Sequence, residues 1–162
     1  MIYMNWNETS KIHMLKHTID IILKDVTSFG SLVFYLFVMI IFITIKNFEM
    51  VYQLLIGLVG IFLVSFFIKS VYFKYRPKRK RHNNFLERID AASFPSIHSA
   101  RIVFLGMSLI NFFDSYLFAI FISFFVFIVC YSRVYLKKHD FIDVIGGVVL
   151  GLLMGVLIVH SY

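Results

Sequence analysis

His139 and Asp143 stand four residues apart. On a helix that spacing puts both side chains on one face, within contact range. A carboxylate on one imidazole nitrogen fixes the tautomer and makes the other nitrogen a better nucleophile. A helix-start pair that only caps is the plainer account of the same two residues. A second cluster is Pro95-Ser96-Ile97-His98-Ser99. Pro95 and Ser96 read as a helix start with Ser96 as N-cap. The free N–H groups of such a start attract anions. His98, in the first turn, is placed to hand a proton to a phosphate ester oxygen. An ordinary capped helix with an interfacial histidine has the same sequence. The third set is cationic: Lys69, Arg76-Pro77 and Arg133. Phosphoryl transfer needs positive charge around three equatorial oxygens, and the guanidinium fork suits phosphate. Snorkelling and headgroup binding are the usual work of interfacial Lys and Arg, and Lys78, Arg79, Lys80 and Arg81 are assigned to it.

These residues must be positioned by elements that are mostly apolar. Of 162 residues, 60% are hydrophobic and 15% charged, and 20 are Phe. A soluble domain of this size has no use for that much apolar surface, so the apolar runs are read as spans in lipid. Five are expected: Ser31 to Ile45, Val51 to Ile68, Ser96 to Phe113, Tyr116 to Tyr131, and Val144 to His160. Several fall short of the ~20 residues that cross a bilayer core. Asn111, Asp114 and Ser115 mark the turn between the third and fourth spans. Gly146, Gly147, Gly151 and Gly155 allow close helix packing in the last. Residues 1–24 carry Ile12, Leu15, Ile19, Ile22 and Leu23 at helical spacing between Lys11, Lys16, Asp20 and Lys24. They are expected to form an amphipathic helix at the membrane surface, an ordinary packed helix being the alternative. The chain is read as a single domain, residues 1–162, with a basic loop over 69–95.

Threading the chain through five spans brings Lys69, Ser96, His98, Arg133 and Asp143 to one membrane face. The spans follow from apolar runs alone, so this convergence is independent of the reactive residues. The net charge is +7. Its basic residues crowd the span boundaries, which fits anionic headgroups or phosphate substrates and speaks against a nucleic-acid partner. No Cys/His cluster has zinc-like spacing. The single cysteine, Cys130, has no partner for an intramolecular disulfide.

The three clusters, in this order and spacing, resemble the signature motifs of the type 2 phosphatidic acid phosphatase family, which also includes the vanadium haloperoxidases. They run from Lys69 to Asp143. Asp25-Val26-Thr27-Ser28-Phe29-Gly30 is a weaker point of likeness. The resemblance implies an all-α membrane bundle and a lipid phosphate or diphosphate phosphatase. It implies that His139 attacks phosphorus to form a phosphohistidine, that Asp143 orients it, and that His98 protonates the leaving oxygen. Lys69, Arg76, Arg133 and Ser96 would hold the phosphate, with no metal and no cofactor. Ile97 departs from the pattern, which usually has Gly there. Ile forbids the unusual dihedrals that Gly permits, and Arg101, one turn on, is placed to add a compensating charge. The small chain and the resemblance together point to a polyprenyl diphosphate of the undecaprenyl type. Phosphatidylglycerophosphate and phosphatidate are the alternatives, and a non-enzymatic anion-binding membrane protein or transporter is the rival from another class. Of 16 Lys and Arg, all but Lys46 fall on the reactive face, which argues for a cytoplasmic site. The resemblance argues for a multi-pass cell-membrane protein with an extracytoplasmic site, and that placement is the expectation.

Overall fold

A computed structural model describes residues 6–77 and 84–159. Residues 1–5 of the expected amphipathic segment, 78–83 of the expected basic loop, and His160 at the expected end of the last span lie outside them. Seven α-helices follow in order: α1 (Trp6–Val26), α2 (Leu32–Thr44), α3 (Phe48–Val71), α4 (Phe85–Ala91), α5 (Ile97–Phe113), α6 (Tyr116–Tyr135) and α7 (Phe141–Val159). A 3₁₀ turn, Thr27–Gly30, joins α1 to α2. No strand occurs among the described residues. The fold is the all-α helical bundle expected.

The helices are long where the sequence is continuously apolar and stop where polar caps interrupt it. Ser31 accepts from the Phe34 amide at the start of α2, and Asn47 accepts from the Met50 amide at the start of α3. Asp114, at φ 42°, ends α5 in the left-handed region that Asp tolerates. The reversal is therefore Asp114–Ser115, while Asn111 lies inside the last turn of α5.

Three helices are long and apolar enough to cross a membrane: α3, α6 and α7. A fourth crossing is α1 with α2, if that pair, bent by 53°, counts as one. The third expected span is the shorter α5, of 17 residues. Its place in the bundle accounts for the length. Ser99 to Gly106 are buried in an unbroken run, so α5 is enclosed on all sides, as a central helix must be. It contacts α2, α3, α6, α7 and the 3₁₀ turn.

The most extensive helix contact is between α5 and α7. Gly147, Gly151 and Gly155 form one stripe of α7, and a Cβ on Gly151 would come 2.6 Å from the Ala100 carbonyl oxygen. On Gly147 it would meet the Ser96 carbonyl. Small residues let backbones meet in this way where lipid offers no hydrophobic drive for helices to associate. Buried polar pairs fix the register elsewhere. Tyr35 donates to the Leu54 carbonyl at 2.7 Å, and Gln53 donates to Ser108 Oγ at 3.1 Å.

The outer faces are apolar. Phe37, Leu63, Phe67, Phe121, Phe127 and Leu157 are all exposed. A water-soluble monomer rarely leaves so much contiguous apolar surface open. The helices fit a multi-pass membrane protein. On α1, Ile12, Leu15, Ile19 and Ile22 stay exposed, and Leu23 is buried.

Candidate active site

The ends of four helices meet at one end of the bundle. Lys69 lies in the last turn of α3 and Arg133 in the last turn of α6. His98 lies in the first turn of α5 and Asp143 in the first turn of α7. A cavity of about 270 Å³ opens between them, lined by Lys69, Arg76, His98, Arg101, Arg133 and His139, with Phe62, Asp90 and Ile97.

His139 is 3% exposed and precedes α7 instead of lying on it. Asp143 reaches back from the third position of α7 and accepts from the Asp140 amide at 2.9 Å. That is one half of a capping box, the N3 side chain reaching back to the N-cap N–H. The carboxylate thus caps α7 and also faces the histidine, with His139 Nδ1 at 3.6 Å from Asp143 Oδ2.

Two residues outside the sequence motifs complete the pair. Ser93 Oγ donates to Asp143 Oδ2 and lies 3.4 Å from His139 Nδ1. Lys74 Nζ lies 2.7 Å from Asp143 Oδ1 and 3.2 Å from Asp140 Oδ2. Asp143 is fully buried, and a carboxylate there requires such partners. With Nδ1 turned toward Ser93 and Asp143, the Nε2 lone pair is left for the cavity. Burial first, then Arg133 and Arg76, holds the imidazole well below its ordinary value, against the opposing pull of Asp143. A neutral imidazole is the form that can act as a nucleophile. Desolvation lowers the Lys74 ammonium, but hydrogen bonds to Asp143 and Asp140 outweigh it and hold the group above its usual value.

The cations are held by backbone and hydroxyl acceptors. Arg76 Nη2 donates to the Asp90 carbonyl at 2.7 Å, Arg133 Nη1 to Thr27 Oγ1 at 2.9 Å, and Arg101 Nη2 to the Gly30 carbonyl at 3.0 Å. In all three the buried Nε has no hydrogen-bond partner among the described residues. Unpaired buried donors are costly, and the three guanidiniums with Lys69 give the cavity cationic walls that suit an anion. The Asp25–Gly30 stretch therefore has a structural duty, since Thr27 and Gly30 hold two of the arginines. Gly30 also lies against His98, where a Cβ would come 3.3 Å from His98 Cβ.

Ser96 is placed differently from the phosphate-binding expectation. It caps α5, accepting from the Ser99 amide at 3.4 Å and from Ser99 Oγ at 3.0 Å. It is fully buried and does not line the cavity. Its backbone N–H donates to the Asp143 carbonyl at 2.9 Å, which ties the second cluster to the third. Among the described residues no group of three or more His, Cys, Asp or Glu could hold a metal ion.

Fold and site together define an apolar helical bundle that fits a multi-pass membrane protein, with a buried cationic pocket lined by two histidines. The sequence model of the PAP2 superfamily matches residues 31–162, and the chain belongs to that superfamily. Its members include phosphatases, which supports phosphoric-ester hydrolysis on lipid phosphates. No curated protein and no solved structure matches the chain.

Proposed function

We propose that the protein is a metal-independent lipid phosphatase that works through a phosphohistidine on His139, with a polyprenyl diphosphate as its substrate. The observation that carries this reading is a buried, neutral His139 that lines one cavity together with His98, Lys69, Arg76, Arg101 and Arg133.

In the first step His139 Nε2 attacks the terminal phosphorus while the bond to the leaving oxygen breaks. Ser93 and Asp143 take the Nδ1 proton as a hydrogen bond and stabilise the positive ring. Lys69, Arg76 and Arg133 neutralise charge on the equatorial oxygens, where preorganised cations give the largest effect. His98 gives its proton to the leaving oxygen. Bound phosphate favours the imidazolium that this role needs. In the second step water attacks the same phosphorus, the P–N bond breaks, and His98 takes the water's proton. The cavity wall carries four cations and one carboxylate, Asp90, whereas a metal site groups carboxylates. On this reading the protein sits in the cell membrane with its site on the extracytoplasmic face.

Phosphate release from a panel of lipid phosphates, by purified protein with chelator present, tests the reading. Polyprenyl diphosphate should be turned over fastest. Faster release from phosphatidate or phosphatidylglycerophosphate would reassign the substrate. Loss of all activity in chelator, restored by magnesium, would overturn the mechanism.

A further inference from the structure

Arg101 belongs to none of the three clusters, yet it is built into the same cavity. It is 5% exposed, holds the Gly30 carbonyl with Nη2 at 3.0 Å, and leaves Nε without a partner among the described residues. Its guanidinium carbon lies 5.7 Å from the centre of the Phe62 ring. We propose that Arg101 binds the lipid-proximal phosphoryl group of a diphosphate ester, so that it selects diphosphate over monophosphate lipids. The assignment rests on the phosphatase reading of the site.

Depth is the first support. The helical rise puts Arg101 about 4.5 Å further into the bundle than His98. On antiparallel α3, Phe62 lies roughly 10 Å below Lys69 by the same rise. Arg101 leaves α5 one turn deeper than His98, and its guanidinium reaches from the Gly30 carbonyl, which lies against His98, to the Phe62 ring below. With the terminal phosphorus at His139, the phosphoryl group nearer the lipid falls at Arg101.

Charge is the second. Lys69, Arg76, Arg101 and Arg133 line the cavity with one carboxylate, Asp90. A monophosphate ester carries about −1.5 to −2 at neutral pH. A diphosphate ester carries roughly one negative charge more, closer to the surplus on these walls.

The route for the chain is the third. An adjoining apolar groove of about 240 Å³, lined by Phe62, Phe66, Ile89 and Ile97, shares Phe62, Lys69, Asp90 and Ile97 with the cavity. A prenyl chain in that groove would meet the cavity at Phe62, the ring that the Arg101 guanidinium faces. Ile97, where the family usually has Gly, supplies apolar wall to both spaces.

The test compares wild type, Arg101→Met and Arg101→Lys in detergent, on farnesyl diphosphate and farnesyl phosphate. Calorimetry follows methylenediphosphonate and methylphosphonate, which are not hydrolysed. Arg101→Met should lower the diphosphate-to-monophosphate ratio of kcat/KM by about 30-fold, the scale of a charge-assisted fork. It should also weaken bisphosphonate binding far more than methylphosphonate binding. Equal losses on both esters would overturn the proposal and leave Arg101 as the anchor of the Thr27–Gly30 turn. If Arg101→Met does not fold, Arg101→Lys decides, since it keeps the charge and loses the fork. An unchanged ratio there overturns the proposal. Hydrolysis of neither ester by wild type would overturn the phosphatase reading, and the bisphosphonate comparison would still decide for or against Arg101.

Discussion

Lys74→Met removes the cation that shares Asp143 with His139. Lys74 Nζ lies 2.7 Å from one carboxylate oxygen, and His139 Nδ1 lies 3.6 Å from the other. Laid end to end across the carboxylate, these contacts put the ammonium at most about 8.5 Å from the ring. At an effective dielectric near 20 a unit charge at that distance is worth ~2 kcal/mol, or roughly 1.4 units on the imidazole. Lys74 is 22% exposed at its side chain, so water screens part of this and about one unit remains. The sign follows from the charges. Losing Lys74 leaves Asp143 to stabilise imidazolium, so His139 takes its proton at higher pH. The neutral nucleophile is then lost sooner as pH falls. The acid limb of kcat/KM, measured on a soluble phosphate ester, should therefore move up by about one pH unit, with activity largely recovered at alkaline pH. A uniform loss at every pH in a folded variant would refute the shared-carboxylate reasoning.

Ser93→Ala removes a hydrogen bond to the buried Asp143 carboxylate, so kcat should fall about 10- to 100-fold with KM nearly unchanged. A rise in KM alone would assign Ser93 to substrate binding. Gly147→Ala drives a methyl into the Ser96 carbonyl. It should cost about 1–3 kcal/mol, read as a lower Tm in detergent. An unchanged Tm would show that α5 and α7 can separate freely. His139 sits below its ordinary value in the folded protein, so the unfolded chain binds more protons below about pH 6.5 and stability falls as pH drops. By pH 5 this share reaches about 2 kcal/mol, and His139→Gln should lose less Tm between pH 7.5 and pH 5 than wild type does. Equal Tm losses would assign the acid sensitivity to other groups.

Much of the fold and the site is legible in the amino-acid sequence. Long apolar runs set the helices, the glycine stripe of α7 marks a close contact, and span ends alone bring His98, Arg133 and Asp143 together. The helices overrun their apolar runs. α3 continues through Lys69 to Val71, and α6 through Arg133 to Tyr135, because terminal turns accept polar residues that hydropathy rejects. What stays hidden is pairing across long stretches of chain. Ser93 meets Asp143 across 50 residues, Lys74 meets it across 69, and Thr27 meets Arg133 across 106. No local period records such contacts. The cap at Ser96 is legible from its place before a helix. Its withdrawal from the cavity is not, since Ser99 claims the hydroxyl only once the helix has formed.

The central claim is that phosphorus is carried on His139. Brief mixing of purified protein with a lipid diphosphate radiolabelled on its terminal phosphorus, followed by an alkaline quench and peptide mapping, tests it directly. The account predicts an acid-labile, alkali-stable label on the peptide containing His139, present with chelator and absent from His139→Ala. A label on another residue, or undiminished labelling in His139→Ala, would contradict it.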